Sequence, residues 1–256
     1  MDAFKRLIWG ALAAGALAGF VLFLVQWGVM IPLIQEAERY EHAAHAVHAE
    51  QEAQAGGGAT AAHETAWQPS DGFERTAYTA LGTTLTGVGY AAMFLGIASL
   101  MGWSLDGRRA WLLGLAGFAC FALGPALGLP PKPPGAAVPD LRAAQAWWLA
   151  TSIATGTGLW LIGVSRGSWT RRGIGLLCLL APHLVGAPSA DHVDTLPRTL
   201  VWQFTLTSVA SQAVFWLVLA KAASFVLARQ QRLAFDGDGR KRVDQDDRPR
   251  RLARES

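Results

Sequence analysis

Long apolar runs separated by short polar or basic breaks dominate this chain. The first, residues 7–30, would be about 36 Å long as a helix, more than the roughly 30 Å core of a bilayer. Further runs lie at about 76–101, 110–128, 144–165, 173–187 and 199–227. The fifth is the shortest, since Gly173 to Gly186 gives only about 21 Å of helix. The pattern predicts an all-α, polytopic membrane helix bundle over residues 1–229, with six spans. Residues 35–75 form a long loop on the outer side, and 230–256 a charged, disordered cytoplasmic tail.

The breaks and the small residues refine this picture. The first run continues through Phe20-Val-Leu-Phe-Leu-Val25 without a small-residue cleavage site, so it reads as a retained span and not a signal peptide. Its Gly10, Ala14, Gly15, Ala18 and Gly19 are spaced to let another helix approach closely. In the second run Thr79, Thr83, Thr84, Thr86 and Tyr90 are expected to hydrogen-bond between helices. Leu129-Pro-Pro-Lys-Pro-Pro-Gly135 cannot continue a helix and reads as a stiff extended connection. Trp147-Trp148 marks a membrane–water boundary.

The chemistry concentrates just after the first run. Ile31 to Glu50 is alanine-rich, a strong helix former, and Gly56-Gly57-Gly58 ends it. At about 100° per residue with His42 at zero, Glu38, His45, Glu52, Glu41 and His48 fall at about −40, −60, −80, −100 and −120°. Glu38/His42, Glu41/His45 and His48/Glu52 are i,i+4 pairs, close enough to interact or to chelate together. Imidazole with carboxylate suits a borderline divalent ion such as cobalt, nickel or zinc. The alternative is a solvated face whose Glu–His pairs contribute only a few tenths of a kcal/mol each.

His183 is the one histidine inside an apolar run, beside Pro182 and near Cys178, and His192 follows in the next loop. A proline-interrupted short helix bearing an ionisable group at membrane depth reads as functional. Packing beside the carbonyl that Pro182 frees is the structural alternative. Cys120 and Cys178 lie in apolar runs and read as small core residues, not a disulfide framework.

Half the residues are hydrophobic and 16% are charged, which excludes an ordinary soluble globule. The pI near 9.1 does not indicate a nucleic-acid partner, because the basic residues sit between runs and in the tail, as topology signals. Six crossings with a cytoplasmic N-terminus place sixteen basic residues inside against five outside. Were the fifth run not to cross, the basic tail would lie outside, so the positive-inside bias favours six spans over five. That topology puts His42, His45, His48 and His192 outside and His183 toward the outer end of its span. No Gly-x-x-x-x-Gly-Lys-Ser/Thr loop and no His-Glu-x-x-His is present, and no enzymatic activity is expected.

Several stretches together resemble the CbtA family of bacterial cobalt transporter subunits. They are Ile31-Pro-Leu-Ile-Gln-Glu-Ala-Glu38, Arg75-Thr-Ala-Tyr78, Pro125-Ala-Leu-Gly-Leu-Pro-Pro131 with Pro134-Gly135, Gln145-Ala-Trp-Trp148, Pro182-His-Leu-Val-Gly-Ala-Pro188 and Phe215-Trp-Leu-Val-Leu219. The resemblance implies five spans, uptake of Co2+ for vitamin B12 biosynthesis across the bacterial inner membrane, and no tightly bound cofactor. It also implies a CbtB-like partner, a small single-span protein with a histidine-rich end. Candidate metal contacts are Glu38, Glu41, His42, His45, His48, Glu52, His183 and His192. Other readings are a Ni2+ transporter, a non-transporting membrane scaffold, and a transporter whose His/Glu face senses pH near about 6.5.

Overall fold

The computed structural model describes residues 2–54, 69–70, 72–105, 107–163, 165, 168–190 and 196–252, with no account of side chains at 2–3, 44–54 or beyond 229. Six helical rods are found among the described residues. The first is one continuous rod, α1 (Asp2–Val25), a π-helical turn (Gln26–Met30) and α2 (Ile31–Gln54). The predicted His/Glu helix is therefore a direct extension of the first apolar helix. Next come α3 (Phe73–Leu100) and a rod of α4 (Gly107–Phe118), a second π turn (Ala119–Leu123) and α5 (Gly124–Gly128). The last three are α6 (Leu141–Gly163), α7 (Trp169–Val185) and α8 (Arg198–Leu252).

Both π turns have the same origin. Pro32 and Pro125 lack the N–H that an α-helix needs one turn into its ladder. In each case the residue just before the proline donates five back instead of four: Ile31 N–H to Gln26 O, and Gly124 N–H to Ala119 O. One extra residue is thereby taken up and the rod continues past the proline without breaking.

Neighbouring rods run antiparallel at close range. A Cβ on Gly15 would lie 2.6 Å from Gly87 O, and one on Gly19 would lie 2.5 Å from Thr83 O, so α1 and α3 touch backbone to backbone. Gly114 and Gly117 of α4 face Ala220 and Trp216 of α8. Gly158 of α6 and Gly175 of α7 abut in the same way. The main core joins α1, α3, α4 and α8 through Ala14, Ala18, Phe94, Phe215, Trp216 and Leu219. There Tyr90 meets Phe121, Phe215 and Trp216 edge-on. Thr79 and Thr83 do not bridge helices as expected; their hydroxyls donate within α3, to Arg75 O and Thr79 O, the nearer carbonyls.

The alternation of direction gathers the chain at two ends. One, the loop end, holds residues 31–43, the start of α3, the 129–140 loop, the end of α7 and the start of α8. The other holds the N-terminus, Arg108, Arg109, Arg171, Arg172 and Arg229. Among the described residues, four segments are long and apolar enough to cross a membrane: Phe4–Ala43, Phe73–Leu100, Gly107–Gly128 and Arg198–Arg229. The six expected spans thus divide into four of this kind and two others. α7 has 17 residues, and Thr151, Ser152, Thr155 and Thr157 dilute the apolar character of α6. Both nonetheless follow the depth of the bundle, from Trp147 beside His183 at the loop end to Gly158 beside Gly175 further down. α8 is helical as far as Leu252.

Candidate functional site

At the loop end, α2 lies over the start of α8. Ala37, Leu196 and Leu200 form a small buried cluster flanked by Leu33, Ala136 and Val201. This apolar contact fixes the first three turns of α2 and, with them, the direction of its polar residues. Glu38, half-buried, accepts a 2.6 Å hydrogen bond from Arg75 Nη2, which ties α2 to the first turn of α3. Ser70, by its N–H and its hydroxyl, donates to Glu74 and secures the entry to α3. Arg39 pairs with Glu36 along the helix at 3.2 Å, an exposed contact of little energetic weight.

The proline-rich connection folds back over this end. Lys132 Nζ donates to Ala137 O at 2.7 Å, which closes the loop on itself. Gly135 adopts a φ of +76° beside Glu41, where a Cβ would stand 3.5 Å from Oε2. Pro131 O accepts from Thr205 of α8 at 2.8 Å. The loop thus spans from Glu41 to α8, and its first residues follow Gly128, which lies against Trp147 and Ala187.

Of the predicted metal contacts, the structure brings Glu38, Glu41 and His42 to this end on α2, with His42 exposed. Glu38 is engaged by Arg75 and Glu41 is covered by the loop, so neither carboxylate stands free beside an imidazole as the periodicity alone suggested. His45, His48 and Glu52 belong to α2, but their side chains, like His192, lie outside the described residues. So does the glycine stretch expected to end the helix. Among the described residues no group of three or more His, Cys, Asp or Glu side chains is close enough to hold a metal ion.

His183 reaches the same end from α7. Its half-buried ring stands edge-on to Trp147 at 6.0 Å between centroids. Pro182 is accommodated inside α7, and Gly186 (φ +90°) ends the helix by donating to Pro182 O. Cys178 is a free thiol five positions before His183, too far around the helix to share its face. Cys120 is buried against Gly156, and the apolar cleft of about 840 Å³ beside it is lined by Met93, Phe94, Trp160 and Trp216, with Arg109 at its edge. That cleft offers a metal only one thiol.

A family model described as "Probable cobalt transporter subunit (CbtA)" matches residues 4–228. The chain belongs to the CbtA family. The match takes in all six rods and stops near the start of the charged stretch of α8. No curated protein and no solved structure matches the chain significantly. As a member of the CbtA family it is a multi-pass membrane protein of cobalt transport, built as a subunit of a larger transporter.

Proposed function

We propose that this chain is the membrane-spanning subunit of a Co2+ uptake permease that captures metal on the outer face of the bacterial inner membrane and feeds vitamin B12 biosynthesis. Family membership supports the cargo. The observation that carries the rest is the gathering of Glu41, His42 and His183 at the loop end, with the basic residues of the connections at the other. The positive-inside bias then makes the loop end external and both termini cytoplasmic. His42, His45 and His48 raise the local metal concentration, while His183 stands deeper, beside Trp147, on the way in. His192, in the loop after α7, belongs to the capture set. The chain supplies no nucleotide-binding motif. Transport is therefore facilitated, gradient-coupled or driven by a partner, for which a small single-span protein with a histidine-rich end is the expected form.

A non-transporting scaffold is the alternative favoured by one contact, the Glu38–Arg75 bond, which commits a carboxylate of the His/Glu face to structure. Reconstitution separates the two readings. Liposomes carrying the chain with its partner should accumulate radiocobalt, and the partner alone should not; equal uptake by the partner alone would leave this chain a scaffold. Competition by Ni2+ in the same vesicles tests the cargo.

A further inference from the structure

We propose that the cleft between α3, α4 and α6 is the site of an anionic glycerophospholipid, with an acyl chain in the cleft and the phosphate at Arg108 and Arg109. Two observations meet here. The cleft, of about 840 Å³, is apolar along almost its whole length. At its mouth the first turn of α4 lines a second, more open hollow with Gly107, Arg108, Arg109 and Leu112. Arg109 and Leu112 belong to both, so a cationic recess opens directly into an apolar slot. An amphiphile with a negative head and a hydrocarbon tail matches that arrangement.

The sequence makes the slot. α3 and α6 flank α4 with little contact of their own. On the side of α4 that faces the gap, Ala116, Gly117 and Ala119 are too small to fill it. The ring of Trp216 lies against Gly117 and forms the back of the slot, while Ile97 of α3 and Leu159 of α6 stand at its sides.

The length of the slot decides its occupant. Arg109 to Cys120 spans about 16 Å of helix, and one leaflet of a bilayer core, half of about 30 Å, is about 15 Å deep. Phe121, packed on Trp216 and Trp148, is the last residue of its rod to line the cleft. A partner's transmembrane helix would need a groove through both leaflets. An acyl chain needs one.

The mouth suits a phosphate. A guanidinium presents five donors in a planar fork that matches phosphate oxygens. Arg109 Nη1 donates to Ser104 Oγ at 3.0 Å, which holds the side chain at the mouth, and Arg108 is exposed next to it. Asp106 precedes the two arginines in sequence, so this turn carries one net positive charge, which a phosphodiester balances. Trp103 and Trp160 line the same end, as indoles do at headgroup level. Basic pockets between membrane helices hold anionic headgroups in this way. The positive-inside bias places the mouth in the cytoplasmic leaflet.

Native mass spectrometry of the full-length chain in detergent tests this. Titration with phosphatidylglycerol or phosphatidylcholine of identical acyl chains gives the dissociation constant of the first lipid bound. Phosphatidylglycerol should bind the more tightly. Arg108→Gln/Arg109→Gln should weaken it about 25-fold, about fivefold for each cation lost near an anionic headgroup, and erase its advantage. Arg171→Gln/Arg229→Gln removes the same charge from the same end and should keep that advantage. Ala116→Phe fills the slot and should weaken both lipids; Ala116→Leu takes its place should the larger side chain prevent insertion. Equal affinity of the unmodified chain for the two lipids would overturn the proposal. So would equal losses in the two arginine pairs, or a filled slot that binds lipid undiminished. A phosphatidylglycerol adduct that vanishes whenever a partner subunit is bound would give the cleft to the partner's helix and overturn it as well. The readout needs neither cobalt nor transport, so failure of the permease reading leaves this site standing.

Discussion

Gly158→Ala should loosen α7 from the bundle, and the structure sets the size of the effect. α7 rests chiefly on α6, and the two meet at Gly158 and Gly175. A Cβ on Gly158 would lie 2.6 Å from Gly175 O and 2.9 Å from Leu179 Cγ, where ordinary contact begins at 3.4 Å. The nearer atom is backbone, so no side-chain rotation relieves it, and the helices must part by about 0.8 Å. A gap of that size along a seam forfeits about a quarter to a half of each contact's dispersion attraction. Overpacking of this kind costs about 1–3 kcal/mol, offset by about 0.5–1 kcal/mol because alanine is the better helix former. The net loss lies between about 0 and 2.5 kcal/mol, centred on about 1, which denaturation in mixed micelles followed by circular dichroism resolves as an earlier midpoint. Gly173→Ala is the control: nothing lies within 4 Å of its Cβ, and it should gain the helix term alone. Equal midpoints for the two variants would refute the close α6–α7 packing and, with it, the position of His183 beside Trp147.

Three further outcomes follow from the loop end. Glu38→Gln should weaken Co2+ binding by the detergent-solubilised chain less than His42→Ala does, because Arg75 already holds Glu38; calorimetric titration decides, and the opposite order would mean that the carboxylate leaves Arg75 for metal. Co2+ binding should fade as pH falls through about 7 to 6, since imidazole coordinates only when neutral and protonation removes its lone pair. Binding unchanged at pH 5 would exclude histidine ligation. An impermeant thiol reagent applied to intact cells should label a cysteine placed at position 45 and spare one at 240. Labelling at 240 from outside would reverse the six-rod topology.

Much of the helical architecture was legible because apolar runs of bilayer length have few alternatives to a helix. The glycines of the first run announced the α1–α3 seam, since small residues at helical spacing serve close approach. What resisted reading was whatever depends on partners distant in sequence. Glu38 finds Arg75 37 positions away, and no local spacing could show that the pair takes a carboxylate out of the His/Glu face. Thr79 and Thr83 drew attention for bridging helices, yet they bond within α3, while the unpaired hydroxyls lie on α6, where nothing in the pattern set Thr151 or Ser152 apart. The two π turns left a signal in Pro32 and Pro125. Each is a proline inside an otherwise helical stretch, where the choice between break, kink and extra residue depends on packing. Pro182 stands one turn from a helix end and is accommodated with no π turn at all.

The account separates capture from passage, and radiocobalt uptake across a concentration series tests that division most directly. In cells or vesicles, His42→Ala/His45→Ala/His48→Ala should take up Co2+ slowly at low external concentration and regain the wild-type maximum when Co2+ is raised. His183→Ala, folded and inserted, should stay low at every concentration, with Cys178→Ser much less affected. Full recovery of His183→Ala at high Co2+ would contradict the account and make His183 a capture or packing group, not part of the path.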